Sequence, residues 1–538
     1  MEEQKKSKKN KIHTILNIIL SIIAVAGISY AYFAADIRNS ETTSTIFGDA
    51  GEMVINYDGG PNIVVGQMTP SNDPFATKKF TVTGNSSITS TMYYNISIIK
   101  ESNTFTDYGL AYNLTSTNTN NNGTIIPSST KDLCYFLTGE GEEVLGNGTF
   151  TGPTNGNKVH TYTLKLYFPD EEYQIENQSK SFEFYISIRE GEKTASECKQ
   201  IPSIGDLILA NNGGAENITE APTSLFDSIN TSDENKMYKM EDDYGDSYYF
   251  RGAQSYVNNN LIFAEHQWKI IRINGDGSLR IIYNGTCPGN SCTINTTGTG
   301  THMMLPSDNS LYNSSGTSAY NLTNRDDNKY VGYMYGGANG EASTSRLQAT
   351  TNETDTHIKS YLDEWYKINI SGTNYENYIS DTLFCNDREI DTSYGTGLGY
   401  AQNQTGYMAR YRLYTNKTPS IKCNDQNDRF TTINYNNLSA PGNNKLDYPI
   451  GLLTADEGSL AGLKNGSSNS TNYLYTNQIF WTMSPYTFNS SDAYVWSVLS
   501  DGRLDYDGVN LARGVRGVLN LASNTPITGT GTTLDPYV

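Results

Sequence analysis

The sequence lacks the motifs on which most known catalytic and metal sites are built. It contains no His-Glu-x-x-His, no Gly-x-Ser-x-Gly and no Gly-x-x-x-x-Gly-Lys phosphate loop. No Cys-x-x-Cys pair is present, which disfavours a zinc or thioredoxin-like site. Beyond residue 35 the histidines are scattered without metal-ligand spacing, at His160, His266, His302 and His357. We therefore predict no enzymatic activity, although a polysaccharide hydrolase stays open because a glycosidase carboxylate pair has no sequence signature.

Positive charge is also scarce. The chain of 538 residues has 38 Lys and Arg against 57 Asp and Glu, a formal charge of −19. The first eleven residues hold five Lys and two Glu, a charge of +3, which leaves −22 for the rest of the chain. Such an acidic surface repels phosphates, so nucleic acid is excluded as an expected partner.

One long uncharged run, Ile15 to Ala35, follows these lysines directly. Its length suits a bilayer, and the preceding lysines place the N-terminus inside the cell. We expect residues 1–11 to be a cytoplasmic tail and 12–35 a single-pass transmembrane anchor, with the bulk of the chain outside the cell membrane. The alternative is a signal segment cleaved near Ala34 and Ala35, which would give a secreted protein.

Six cysteines lie beyond the apolar run, and an even number outside the membrane predicts disulfides. Fifteen connectivities are possible for six cysteines. Proximity along the chain favours the pairs Cys287–Cys292, Cys385–Cys423 and Cys134–Cys198.

Residues 40–200 are predicted to form a β-sandwich. Clean alternation puts Tyr162, Leu164, Leu166 and Phe168 on one face of "TYTLKLYF", and "SFEFYISI" repeats the pattern. With the upstream "SYAYFAAD", the stretch "YTLKLYFPDEEYQIENQSKSFEFYISI" resembles camelysin-type matrix proteins, which implies a jelly roll. No zinc motif accompanies the resemblance, so it implies no protease activity. We place the end of this domain near Pro202.

Residues 203–538 mix strands and helices. "WKIIRINGDGSLRIIY" predicts a β-hairpin that turns at residues 274–277. "THIKSYLDEWYKINI" predicts a helix with Thr356 as N-cap and an apolar stripe formed by Ile358, Leu362, Trp365 and Ile368. A second helix begins at "TADE", where Thr454 and Glu457 have capping-box spacing.

The final segment, "FWTMSPYTFNSSDAYVWSVLSDGRLDYDGVNLARGVRGVLNL", combines with these elements over residues 240–524. Together they resemble an uncharacterised family of bacterial surface domains with a W-x-x-SP and GVR(P) signature. That family is related to the C-type-lectin-like fold of formylglycine-generating enzymes. Gly517 stands where the family usually has proline. No cysteine follows Cys423, and neither EPN, QPD nor WND occurs, so the resemblance implies a fold rather than either known activity.

Two candidate sites lie in this segment. Arg516 sits within a strand that has apolar residues on both faces, so its guanidinium needs a buried partner. The acidic residues of "TADE" recur at a similar place in the family, and we expect Asp456 and Glu457 to form a structural ion pair with Arg516. "DYDGVN" offers Asp505, Asp507 and Asn510 to a calcium ion, although no bidentate glutamate follows. No other cofactor is expected.

The sequence as a whole predicts a mainly β protein with α+β parts: a membrane helix, a jelly-roll-like β-sandwich and a C-type-lectin-like outer domain. The expected function is non-enzymatic adhesion or ligand binding at a bacterial cell surface, with a protein or a glycan as the unknown ligand. The alternative is a structural subunit of an extracellular matrix or fibre, assembled through the sandwich edges.

Overall fold

The computed structural model describes residues 35–39, 45–47, 54–58, 67–127, 133–169, 177, 179–228, 236–306, 315–321, 325–433 and 441–538. The expected cytoplasmic tail and the expected anchor or signal segment lie outside this range, except for Ala35, which begins a strand. Within the described residues, no helix has both the length and the apolar character needed to cross a bilayer.

The fold is mainly β, as predicted, and contains several sheets. The chain divides into two compact units, Met1–Ile201 and Pro202–Val538, here called unit 1 and unit 2.

Twelve strands form unit 1: β1 Ala35–Asn39, β2 Thr45–Phe47, β3 Val54–Asp58, β4 Gln67–Met68, β5 Ser71–Asn85, β6 Thr91–Asn103, β7 Ala111–Asn118, β8 Ile125–Ile126, β9 Cys134–Tyr135, β10 Gly141–Thr151, β11 Lys158–Phe168 and β12 Ser181–Glu190. They make two six-stranded sheets, ordered β4-β1-β12-β6-β10-β8 and β2-β3-β5-β11-β7-β9. Between these described strands, all pairings are antiparallel except that of β1 with β12.

The two sheets of unit 1 share one hydrophobic core. The alternation predicted for β11 and β12 is confirmed, since every second side chain in these strands is buried. Tyr94 on β6 and Tyr162 on β11 belong to different sheets, and their hydroxyl oxygens lie 2.6 Å apart inside the core. The apolar faces of the two sheets therefore face each other.

Unit 2 contains the remaining strands: β13 Lys236–Glu241, β14 Asp246–Arg251, β15 Asn260–Phe263, β16 His266–Ile273, β17 Leu279–Thr286, β18 Thr317–Ser318, β19 Met334–Tyr335, β20 Thr354–Asp355, β21 Phe384–Cys385, β22 Ile390–Gly395, β23 Thr405–Tyr407, β24 Arg429–Phe430, β25 Gly451–Leu452, β26 Phe480–Phe488, β27 Ala493–Val498, β28 Leu504–Gly508, β29 Arg513–Gly514 and β30 Gly517–Leu521. Its helices are α1 Ile204–Asn211, α2 Arg346–Thr350, α3 His357–Asn369, α4 Met408–Arg410 with a π-helical continuation Tyr411–Asn416, and α5 Ala455–Leu460.

Two large sheets organise unit 2. The first has the order β13-β14-β16-β17-β30-β25, with β15 also paired to β16; the second joins β18-β29-β26-β23-β22 with β27 and β28. The predicted hairpin is confirmed as β16 and β17, and Gly277 in its turn has a φ of 80°, a value that glycine adopts without strain. Strand β30 is interior, between β17 and β25.

Helix α3 confirms the predicted amphipathic helix with one correction. Ile358, Leu362 and Trp365 are buried, but Ile368 is 45% exposed, because the last turn buries Tyr366 and turns Ile368 away from the core. Thr356 occupies the N-cap position without capping, since its hydroxyl donates to the carbonyl oxygen of Tyr333 at 2.7 Å.

All three predicted disulfides are confirmed: Cys134–Cys198, Cys287–Cys292 and Cys385–Cys423. No free cysteine remains among the described residues, which hold all six.

Candidate functional site

The first sheet of unit 2 has two unlike faces. Trp268 and Tyr283, directly opposite each other on β16 and β17, point to the side on which α3 packs, and both rings contact Trp365 edge-on. The other face carries basic side chains that are at most 5% exposed: Arg251, Lys269, Arg272, Arg280 and Arg516. A buried positive charge is costly without a partner, so each of these side chains needs a buried hydrogen-bond acceptor or a carboxylate.

Glu457 neutralises two of these arginines. Its Oε1 lies 3.1 Å from Nε of Arg272 and 2.6 Å from Nε of Arg280. Arg272 also reaches Asp242 at 2.7 Å. Burial alone would raise the pKa of Glu457, but Arg280 and Arg272 hold it below its ordinary value. The predicted capping box of α5 is confirmed, because the Thr454 amide donates to the same carboxylate.

Asp456 has a different partner, Arg412 on the π-helical turn after α4. Nε and Nη2 of Arg412 donate to the two oxygens of Asp456, each at 2.8 Å, and Nη2 also reaches Asp387 at 2.5 Å. Burial raises the pKa of Asp387 to about 6. The cleft between these groups and the Glu457 cluster has about 20 Å³ of free space, which is room for a water molecule but not for an organic ligand.

The predicted ion pair between Arg516 and Asp456 or Glu457 is wrong. Arg516 is fully buried, yet its Nε donates to the carbonyl oxygen of Tyr283 and its Nη1 to that of Leu474, each at 2.9 Å. Its guanidinium lies 4.9 Å from the Phe480 ring centre, and no carboxylate among the described residues pairs with it. Its Nη2 has no hydrogen-bond partner there either.

The physical reason is the register of the sheet. Arg280, which holds Glu457, is paired with Asn520 on β30. Asn520 lies four residues beyond Arg516, or about 13 Å along a strand. Arg516 therefore lies just before β30, against the backbone carbonyls of Tyr283 and Leu474, and burial lowers its pKa to about 9.

The carboxylates proposed for calcium lie on β28. Asp507 accepts two hydrogen bonds from Arg513, at 2.9 and 3.1 Å, and Asp505 lies 3.4 Å from Nε of Arg503. Arg513 already places a positive charge against Asp507. Calcium binding by Asp505, Asp507 and Asn510 stays a prediction that this arrangement does not favour.

A different acidic cluster surrounds Lys359 on α3. The ammonium lies 3.1 Å from Asp355, 2.7 Å from Asp363 and 2.8 Å from Asp447. Burial alone would lower the pKa of Lys359, but these carboxylates hold it above its ordinary value. The three oxygens are close enough together to hold a metal ion, but the lysine occupies the position between them. The contacts of Lys359 with Asp355 and Asp363 could have been predicted from the sequence, because the Asp-x-x-x-Lys-x-x-x-Asp spacing is that of side chains on one face of a helix.

The second sheet of unit 2 and α4 together display a row of four tyrosine rings and one arginine, which we call the tyrosine row: Tyr394, Arg410, Tyr486, Tyr506 and Tyr494. The guanidinium carbon of Arg410 is 4.3 Å from the Tyr394 ring centre and 6.0 Å from that of Tyr486. Tyr486 stacks on Tyr506 with centres 4.0 Å apart and planes inclined by 10°. Tyr494 meets Tyr506 edge-on at 5.4 Å.

The row lies at the surface and packs on a buried tryptophan. Tyr506 is 41% exposed, while Tyr394, Tyr486 and Tyr494 are partly buried. Beneath them, Trp496 is fully buried and contacts Tyr486 edge-on at 4.8 Å. Burial raises the pKa of Tyr486 to about 12, so its hydroxyl is neutral at physiological pH.

Comparisons with known proteins assign no family to this chain. No protein-family model and no curated protein matches it. The solved structure of AvmM, which catalyses macrocyclization in alchivemycin A biosynthesis, aligns with 29% of this chain and 100% of that chain, at 9% identity. Its TM-score of 0.12 is too low to indicate a shared fold. The site therefore has to be interpreted from its own geometry.

Proposed function

We propose that the protein is a bacterial surface protein that binds an extracellular ligand, without catalysis, through the tyrosine row of unit 2. The observation that carries this proposal is the row itself, a ring surface that spans β22, α4, β26, β27 and β28. Tyrosine and arginine are the residue types that dominate binding surfaces, because each combines a large flat contact area with a polar group.

Two clefts among the described residues of unit 2 are too small for an organic ligand. They have about 20 and 10 Å³ of free space, whereas pockets for small molecules are usually several hundred cubic ångströms. The charged groups lining the larger cleft are also engaged with one another, through Glu457 and Arg412. Neither of these two clefts can therefore hold an organic ligand, and the tyrosine row is the site that we propose instead.

The location and finer fold form part of the same proposal. Three disulfides favour an oxidising compartment outside the cell. A membrane anchor at residues 12–35 and secretion after signal cleavage are both compatible with that compartment. For unit 1 we propose a jelly-roll-like sandwich, on the evidence of two facing antiparallel sheets. For unit 2 we propose a C-type-lectin-like domain, on the motif order of the sequence.

The matrix or fibre alternative receives less support from unit 1. Among the described residues, the edge strands of its sheets are β4, β8, β2 and β9, which have two or three residues each. Short edges offer few free backbone groups to a second chain, and proteins use them to limit edge-to-edge association.

The proposal is tested with the full chain on a mixed array of glycans and extracellular proteins. We expect binding to at least one immobilised class, and loss of that binding in Tyr506→Ala. Tyr256→Ala is the matched control, because Tyr256 is 59% exposed in the same unit and is not a member of the row. Absence of any binding, or binding that Tyr506→Ala leaves unchanged, would refute the proposal.

A further inference from the structure

The chemistry of the tyrosine row narrows the class of ligand, on the premise that the row binds one. Its most exposed ring is that of Tyr506, which is 41% exposed and stacks on Tyr486 through one face. An aromatic face with a hydroxyl at its rim can pack against apolar C–H groups while donating a hydrogen bond. A pyranose ring presents both on one molecule, with C–H groups on its face and hydroxyls around its edge.

The charges around the row are balanced in pairs. Each nearby carboxylate has an arginine partner at 2.5–3.4 Å, in the pairs Arg410–Asp391, Arg325–Asp492 and Arg503–Asp505. Such a surface has no excess positive charge with which to attract a polyanion or an anionic membrane. The net charge of −19 also disfavours binding to a polyanion or an anionic membrane. The row therefore suits a neutral ligand.

The extent of the row indicates a chain rather than a single sugar. Successive members of the row are 4.0–6.0 Å apart, from Tyr394 through Arg410, Tyr486 and Tyr506 to Tyr494. The row is longer than one sugar ring, and its tyrosines line neither of the two clefts described above. Asn489 lies at its end, where its amide donates to the Tyr494 hydroxyl at 3.3 Å, and this exposed side chain adds polar groups for sugar hydroxyls.

We infer that the ligand of the tyrosine row is a neutral polysaccharide, bound by stacking of its sugar rings on Tyr506 and by hydrogen bonds from the neighbouring tyrosines. This mode needs no metal ion. It differs from calcium-dependent sugar binding, for which the sequence has none of the required motifs.

The test is co-sedimentation of the full chain with insoluble neutral polysaccharides: cellulose, chitin and curdlan. Soluble heparin and hyaluronan, measured by affinity electrophoresis, provide the anionic comparison. We expect binding to at least one neutral polymer, unchanged by chelator and retained at 1 M NaCl, since stacking is not screened by salt. Tyr506→Ala should weaken that binding by about tenfold, as expected for loss of one aromatic contact. Tyr506→Phe should weaken it less, and Tyr256→Ala should leave it unchanged.

The outcomes separate this inference from the function on which it rests. Tyr506-dependent binding only to heparin or hyaluronan, abolished by salt, would overturn the neutral-polysaccharide inference, as would Tyr506-dependent binding only to proteins on the mixed array. In both cases surface binding by the row would survive. A neutral polymer bound equally well by Tyr506→Ala would overturn the inference and the site together. Near-ultraviolet circular dichroism of each variant checks that unit 2 is folded.

Discussion

Glu457 provides the most direct test of the buried network, because its carboxylate neutralises two arginines at once. We expect Glu457→Gln to lower the free energy of unfolding of unit 2 by about 3–5 kcal/mol, which is the usual cost of removing one partner from a buried ion pair. The glutamine oxygen can still accept the hydrogen bond from the Thr454 amide, which is 2.9 Å long in the native protein. The loss therefore reports the charge rather than the helix cap.

Double-mutant cycles then locate the partner of Glu457. Its coupling with Arg280, measured with Arg280→Met, should be about 1–3 kcal/mol because the two side chains are in direct contact. Its coupling with Arg516, measured with Arg516→Met, should be within about 0.5 kcal/mol of zero, as for groups without shared contacts. Arg516→Met should itself destabilise unit 2, because it leaves the carbonyls of Tyr283 and Leu474 without their buried donor.

Urea unfolding followed by tryptophan fluorescence is the assay. All four tryptophans of the chain, Trp268, Trp365, Trp481 and Trp496, are buried in unit 2, so their emission reports this unit alone. Strong coupling of Glu457 to Arg516, together with additivity between Glu457 and Arg280, would refute the reasoning. It would restore the ion pair that the sequence suggested.

Three further predictions concern unit 1 and the N-terminus. Burial lowers the pKa of His160, whose Nδ1 lies 2.6 Å from the Tyr94 hydroxyl, so the folded unit favours the neutral ring. The contribution of neutral His160 to the free energy of unfolding of unit 1 should be complete above pH ~6.5 and should be lost as the pH falls through the lower pKa of the folded state. Hydrogen exchange would detect this pH dependence, and His160→Gln should remove it. Replacing Cys134 and Cys198 together by serine should destabilise unit 1 by about 4 kcal/mol in thermal unfolding, and leave the tryptophan signal of unit 2 unchanged. If residues 12–35 are an anchor, the protein should fractionate with membranes; mature protein in the medium would show cleavage instead.

Local patterns carried most of the successful predictions. The alternation in β11 and β12, the amphipathic spacing of α3 and the capping box of α5 each depend on residues close together in the sequence. The disulfides were also predictable, because each pair consists of cysteines adjacent in chain order.

Long-range pairing explains what the sequence did not show. The strand pattern indicated that Arg516 is buried, but its contacts depend on how β17 and β30 are aligned across more than 200 residues. Arg272 and Arg280 carried the same signal, an arginine inside an apolar strand, and they proved to be the partners of Glu457. The tyrosine row collects side chains from elements between residues 390 and 508, and no local spacing predicts that they meet.

The disulfide Cys134–Cys198 also determines how unit 1 would respond to tension. The strands β10, β11 and β12 all lie inside the loop that it closes, which has a sequence separation of 64 residues. A force applied between β1 and Ile201 can break hydrogen bonds around this loop, but the disulfide prevents the residues inside the loop from being extended. About 200 Å of contour length therefore cannot be extended while the disulfide is intact. Under load, unit 1 would act as a short tether of fixed maximum length until its cysteines are reduced.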